Sequence, residues 1–256
     1  MTSATRLLAT AAAALALLAL GTGSATAQTP QIAAGSNQTC VVTELGALKC
    51  MGLNDTGMLG PASSGSSTPL TTPTEIAAGG PVKSVALGFN HSCALLASGA
   101  VVCRGQNGLG QLGSSSGNTT STNYPDGFTV PLPAAATQIT AQQYFSCATL
   151  VDGNAYCWGD NQYGMLGSSL NVLTTIPNPT PLAVPLPAAA GQLAAGPFHA
   201  CTLAADAKLY CWGLNFYGQQ GNGSNLATFT PNLPTLADKV APGASWVSAS
   251  FTQTCV

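Results

Sequence analysis

Apolar residues in this chain fall in short runs of about four, each pair of runs divided by a small or polar dipeptide. Examples are CALLASGAVVC, CATLVDGNAYC, CTLAADAKLYC and the looser CVVTELGALKC. The dividing turns centre on Ser98-Gly99, Asp152-Gly153, Asp206-Ala207 and Leu45-Gly46. Two short apolar runs about such a turn predict a hairpin of two antiparallel strands of about four residues. Beyond residue 27 no stretch holds a 3.6-residue apolar period, and Gly and Pro recur throughout, so long helices are not expected.

The hairpins repeat. Cys40, Cys93, Cys147, Cys201 and Cys255 follow one another at 53, 54, 54 and 54 residues, and Cys50, Cys103, Cys157 and Cys211 stand ten residues after the first four. The chain therefore holds four copies of one unit and the beginning of a fifth. Two residues after each second cysteine comes Gly52, Gly105, Gly159 or Gly213, and four after it Asn54, Asn107, Asn161 or Asn215. Seven after it stand Gly57, Gly110, Gly164 and Gly218, and ten after it Gly60, Gly113, Gly167 and Gly221. Gly and Asn at fixed places point to a backbone shape that other side chains resist.

Two cysteines ten apart, folded about their midpoint, meet across the strands at a Cα separation of about 4.5 to 5.5 Å, within disulfide range. The expected bridges are Cys40 to Cys50, Cys93 to Cys103, Cys147 to Cys157 and Cys201 to Cys211. Each closes a short loop and should contribute about 2 to 3 kcal/mol. Zinc is the competing reading, but structural zinc sites use closer cysteine pairs with a second pair or histidines nearby.

The connecting segments, roughly Pro61 to Glu75, Ser114 to Pro133, Ser168 to Pro187 and Asn222 to Asp238, are rich in Ser, Thr, Asn and Pro. They read as loops leading into a Pro-flanked edge strand. They differ most among the copies, so binding specificity is expected in them and in the short turns on the same face.

The N-terminus changes the compartment. Arg6, an apolar run from Leu7 to Leu20 and small residues through Ala27 read as a secretory signal peptide, residues 1–27, with cleavage after Ala27. The product, residues 28–256, has no later apolar stretch long enough to span a membrane with a helix. Secretion also permits the disulfides.

With the leader removed, five basic residues face eight acidic ones, a formal charge of −3. The basic residues are scattered singly, which argues against nucleic acid and against a polybasic membrane patch. Only 5% of residues are charged while 46% are hydrophobic, a balance that suits short strands and many turns.

A catalytic set is not apparent. His91 and His199 share one repeat position with Gln38, Phe145 and Gln253, which points to a packing role in the core or a turn. Asp152 and Asp206 sit at hairpin tips, and Glu75, Asp126 and Asp238 fall in connecting segments, so no carboxylate pair for general acid and base work is visible. Gly-rich strings such as GQNGLGQLG lack the following Lys-Ser or Lys-Thr and the helix of a phosphate loop. No cofactor or metal is implied. Trp158 and Trp212, with Met51 and Arg104 at the same position, are expected to pack over disulfides between neighbouring repeats.

Four sequons occur. Those at Asn37 and Asn90 are expected in the strand before the cysteine, whereas Asn118 and Asn222 fall in loops and are the candidate glycosylation sites.

The strings HACTLAADAKLYCWGLNFYGQQG, YFSCATLVDGNAYCWGDNQYGMLG and HSCALLASGAVVCRGQNGLGQLG resemble the blade motif of the regulator of chromosome condensation repeat superfamily. That superfamily includes the β-lactamase inhibitor protein of type II. The cysteine-bearing version is most similar to the ectodomain repeats of crinkly-type plant receptor kinases. The resemblance runs from about Ile32 to Val256 and implies an all-β propeller whose blades are four-stranded antiparallel sheets around a channel.

On that frame the repeats cover about 32–84, 85–138, 139–192 and 193–246, with a partial fifth at 247–256. This is incomplete relative to the seven-bladed ring usual in the family. A fragment of a longer product, an open arc, a strained small ring and a ring completed by partners all stay open, truncation within a repeat being the simplest account of the odd Cys255. The last strand, Trp246 to Val256, is expected to close a small ring or to mediate oligomers. The function expected is that of a secreted, non-enzymatic scaffold binding a protein or a glycan. The alternatives are guanine-nucleotide exchange on a small GTPase, from the family name, and part of a receptor kinase ectodomain. The β-lactamase inhibitor role lacks the contact residues it would need.

Overall fold

The computed structural model describes residues 29–62, 64–114, 123–225, 234–238 and 244–256. Each repeat forms a four-stranded antiparallel sheet in chain order, and there is no helix among the described residues. The first sheet is β1 (Gln31–Ala34), β2 (Gln38–Val42), β3 (Leu48–Gly52) and β4 (Leu70–Glu75). The second is β5 (Val82–Leu87), β6 (His91–Leu96), β7 (Val101–Gln106) and β8 (Asn123–Thr129). The third is β9 (Ala136–Gln142), β10 (Phe145–Leu150), β11 (Ala155–Gly159) and β12 (Asn178–Ala183). The fourth is β13 (Ala190–Ala195), β14 (His199–Ala204), β15 (Leu209–Gly213) and β16 (Thr235–Leu236). A two-stranded piece, β17 (Ser248–Ala249) with β18 (Thr254–Cys255), begins a fifth. The leader, residues 1–27, lies outside the described residues.

The hairpins form where the apolar runs place them, with five- or six-residue strands because pairing continues past the cysteines to glycine: Gln38 opposite Gly52, His91 opposite Gly105, Phe145 opposite Gly159, His199 opposite Gly213. The paired cysteines stand directly opposite one another and are bridged in all four copies, with Cα atoms 4.1 Å apart. The separation falls just below the expected range, as suits directly opposed positions drawn together by a bond. Gly52, Gly105, Gly159 and Gly213 have φ of 114°, 109°, 110° and 95°. A Cβ on any of them would come within 2.2 to 2.6 Å of the carbonyl oxygen of Asn37, Asn90, Tyr144 or Phe198, just before the facing strand.

The outer strands depart from expectation in one respect. Proline lies within them rather than beside them, at Pro73 in β4, Pro125 in β8, and Pro179 and Pro181 in β12. These strands pair on one side only, so a missing N–H is harmless there and the free edge resists further pairing.

The first strand of each sheet is innermost: β1 lies against β5, β5 against β9, β9 against β13, and β13 against β17. The ends of these strands and the turns after them, from Ala34 and Leu87 to Gln142 and Pro197, line one cavity of about 440 Å³ on a common axis. Every position of β6 and β10 is buried, so both faces of a sheet must be covered. The cores accordingly lie between sheets. One joins Cys40, Cys50 and Leu59 of the first sheet's repeat to Val82, Leu87 and Ala94 of the second. The next joins Cys93, Cys103 and Leu112 to Ile139, Ala148 and Trp158, and a third joins Cys147, Cys157 and Met165 to Leu193, Ala200 and Trp212. Trp158 and Trp212 thus cover the disulfide of the preceding blade.

The hairpin tips dock on the following sheet. The carbonyls of Gly46, Gly99 and Gly153 accept the N–H of Val82, Ala136 and Ala190 at 2.7 to 2.8 Å. These glycines have φ of 77°, 85° and 81°, and the fourth tip carries Ala207 in the same conformation at 59°. Ala207→Gly should therefore raise stability by about 0.5 to 1 kcal/mol in a non-reducing urea titration. At Gly99 a Cβ would stand 2.5 Å from that of Ala135, so Gly99→Ala should destabilise by more than about 1 kcal/mol. Equal and small effects from both would refute this account of the tips.

Candidate binding face

The seams between blades decide which loops are rigid. Asn54, Asn107, Asn161 and Asn215, all buried, accept the N–H of the residue five further on (Leu59, Leu112, Leu166, Gln220) at 2.8 to 3.0 Å. In the first, third and fourth copies the same amides donate to loop carbonyls, at 2.9 Å to Gly60, 3.0 Å to Ser168 and 2.9 Å to Ser224. The asparagine is the centre around which the Gly-rich segment winds.

That winding aims one carbonyl at the next blade. Gln111 O accepts Trp158 Nε1–H at 3.0 Å and Ser146 Oγ–H at 3.3 Å, Met165 O accepts Trp212 Nε1–H at 2.8 Å, and Gln219 O accepts Thr254 Oγ1–H at 2.8 Å. At the first seam Met58 O accepts Ser92 Oγ–H. Arg104 takes the tryptophan's place in the second blade, donating to Ala77 O at 2.9 Å. Burial lowers its pKa, an effect that the Asp126 charge opposes.

The two histidines belong to these seams. His91 Nε2 lies 2.8 Å from Ser146 Oγ, and His199 Nε2 2.9 Å from Thr254 Oγ1. Each hydroxyl already gives its proton to a carbonyl, so it accepts from the imidazole, which leaves Nδ1 the bare nitrogen. Both Nδ1 atoms are buried without a partner. Desolvation lowers the pKa of His91 to about 3 and of His199 to about 4. The pair is one repeat position in two blades, not one site.

The hairpin tips at one end carry Glu44, Asp152, Asp206 and Lys208, the last two an exposed pair at 3.5 Å. The other end carries the variable loops and the short turns that follow the inner strands; its exposed large side chains are Leu170, Leu173 and Ile176 of the third loop and a group of aromatic rings. Phe89 meets Tyr144 edge-on with ring centroids 5.9 Å apart. Phe198 stands between Tyr163 and Phe251, 5.4 Å from each and nearly perpendicular to both. Phe216 and Tyr217 lie beside them at 5.7 Å from one another. Tyr163, Phe198, Phe216, Tyr217 and Phe251 enclose a cleft of about 300 Å³ that no charged side chain lines, and Phe251 also borders the axial cavity. Tyr163 and Tyr217 share one repeat position, six residues after the second cysteine, but the rings that precede the first cysteine come from turns of unequal length and do not align.

The sequons are placed differently from expectation. Asn37 and Asn90 lie outside the strands, in the turns that follow β1 and β5, because pairing begins only at Gln38 and His91. Asn37 is exposed, whereas Asn90 Nδ2 donates to Gln106 Oε1 at 3.0 Å. Asn222 is half-buried, accepting from Ser224 N–H and Asn215 Nδ2–H. Asn118 lies outside the described residues. Cys255 is free and exposed.

The family profile for the regulator of chromosome condensation (RCC1) repeat matches residues 82–111, 137–164, 152–203 and 192–219. Residues 82–111 and 137–219 are regulator of chromosome condensation repeats. Among relatives, the ultraviolet-B receptor UVR8 of Arabidopsis thaliana is 30% identical over 203 residues, covering 78% of this chain and 44% of that protein. Prp20p of Saccharomyces cerevisiae superposes with a TM-score of 0.69 at 21% identity, over 88% of this chain and 54% of that one. The Physcomitrella patens receptor kinase CR4 ectodomain gives 0.50 at 19% identity, over 86% and 46%. The chain thus spans about half the length of these relatives, and the structural likenesses establish a propeller fold.

The buried histidines set a pH dependence. Their folded pKa values lie below the unfolded value near 6.5, so the unfolded chain binds more protons and stability falls as pH drops from 6.5 toward 4. Urea titrations should show a loss of roughly 2 to 4 kcal/mol between pH 7 and pH 5. Replacing both by the glutamine that occupies this position in the first blade, His91→Gln with His199→Gln, should flatten the profile. A profile as steep as that of the parent would disprove the assignment.

Proposed function

We propose that this chain is a secreted, non-enzymatic scaffold that takes a protein or glycan partner on its loop-bearing face. The observation that carries the reading is the cluster of exposed aromatic rings at that end, with Tyr217 67% and Phe251 61% exposed, beside the loops that differ most between copies. Contiguous exposed apolar surface marks interaction sites, and aromatic residues dominate their energetics. The four disulfides and the apolar leader support an oxidising, extracellular setting.

Similarity to Prp20p, a protein characterised for binding to Gsp1p and histones, is what favours the second reading, guanine-nucleotide exchange on a small GTPase. The disulfides weigh against it, since they persist poorly in the reducing cytosol and nucleus.

Two measurements test the proposal. The protein in the culture medium should begin at Gln28 by mass spectrometry. Immobilised chain should retain material from medium or a cell-wall extract, and Phe216→Ser with Tyr217→Ser and Phe251→Ser should reduce retention at least about tenfold. Leu45→Ser with Val151→Ser, exposed changes at the tip end, should leave it unchanged. Retention lost through the tip changes instead, or an intracellular product with its leader intact, would overturn the reading.

A further inference from the structure

We infer that the cleft bounded by Tyr163, Phe198, Phe216, Tyr217 and Phe251 receives a proline-rich peptide in the polyproline II conformation, an inference that rests on the loop-face reading above. The lining excludes the alternatives in turn. It carries no charge, so phosphates and acidic or basic peptides find no complement there. At about 300 Å³ it lies at the lower end of the range for ligand pockets, which suits one or two rings rather than a long chain laid flat.

The polar groups then decide between a saccharide and a peptide. Gln219, also in the lining, is buried with its Oε1 already accepting the Tyr217 N–H at 2.9 Å. Its Nε2 is buried with no hydrogen-bond partner. Beyond that amide the lining offers hydroxyls, at Thr252 and the two tyrosines, and no carboxylate. Each saccharide ring brings several O–H groups, more than three lining hydroxyls and one amide can pair, and unpaired polar groups in an apolar cleft are costly. A prolyl segment has no N–H, so its backbone needs only donors for its carbonyls. Its rings pack against aromatic side chains, and its conformation is already ordered before binding, which reduces the entropy lost.

Fluorescein-labelled decaproline titrated with the whole chain, followed by fluorescence anisotropy, tests the inference. Binding should saturate, and a Gly-Ser decamer should not bind. Phe216→Ser with Tyr217→Ser, both surface changes whose folding is confirmed by an unchanged thermal midpoint, should weaken binding at least tenfold. Tyr217→Phe should weaken it less, and Leu45→Ser should have no effect.

Decaproline binding that survives Phe216→Ser with Tyr217→Ser places the peptide elsewhere and defeats the inference. So does cellohexaose binding in the cleft where decaproline does not. Absence of decaproline binding by a chain that still loses partner retention on mutating the aromatic face removes the ligand class alone and leaves the loop-face reading standing. Partner retention indifferent to those mutations removes the reading itself.

Discussion

A sheet that is apolar on both faces cannot hide its own core. In the second, third and fourth repeats the second strand is buried almost throughout, on the side chains that point left of the sheet as well as those that point right. Each sheet therefore has to be sandwiched, and the cores form in the seams. The disulfide follows from the same constraint, because the paired cysteines sit among the residues of a seam and the next blade's tryptophan covers them. Removing such a tryptophan would sacrifice about 3 to 5 kcal/mol, whereas one hydrogen bond across the seam contributes about 1 kcal/mol net. Apolar contact supplies the stability, and the polar contacts set how one blade is seated on the next.

The seating depends on a carbonyl that the chain can present only after it has wound around a buried asparagine. Met58, Gln111, Met165 and Gln219 each turn this carbonyl outward, and the hydroxyl or indole that receives it changes from seam to seam. Serine supplies the bond at the first seam, serine and tryptophan together at the second, tryptophan at the third and threonine at the last. The acceptor is backbone and needs no particular side chain, so donors could be exchanged while the geometry stayed. The base of every variable loop is thereby fixed, and the residues beyond it are released from structural duty.

The repeat period made the blades legible because cysteine spacing is counted, not inferred, and two cysteines ten apart leave a hairpin little choice. Gly52 and its counterparts were legible as special backbone positions. Their reason, a carbonyl 2.2 to 2.6 Å from any added Cβ, arises only when the strands are paired. Periodicity marks His91 and His199 as one repeat position but cannot show their hydroxyl partners, which come from the following blade, 55 residues away. Asn37 reads as a strand residue because nothing in its neighbours reveals that pairing starts one residue later. The aromatic face was illegible for a different reason. Phe89 and Phe251 stand four residues before their cysteine and Tyr144 and Phe198 three, so alignment in register scatters what the fold gathers.

Those four rings also show how a structural device becomes a functional one. Three of the turns that carry an aromatic residue are closed by a hydrogen bond at or just before the start of the strand that follows, Gly88 N–H to His91 O, Gly196 N–H to His199 O and Ser250 N–H to Gln253 O. The residue receiving that bond is in two cases the histidine whose imidazole grips the next blade. The seam thus holds the turn, and the turn holds the ring. Ordering a mobile side chain on binding costs roughly 0.5 to 1.5 kcal/mol, and a ring held in advance has little of this to lose. Charge is placed to the same effect, since the tips at the opposite rim carry Glu44, Asp152, Asp206 and Lys208 and leave the cleft uncharged. An aromatic surface held rigid and free of charge selects for apolar ligands with few unmet polar groups, and it can vary with the loops around it without disturbing the seams beneath.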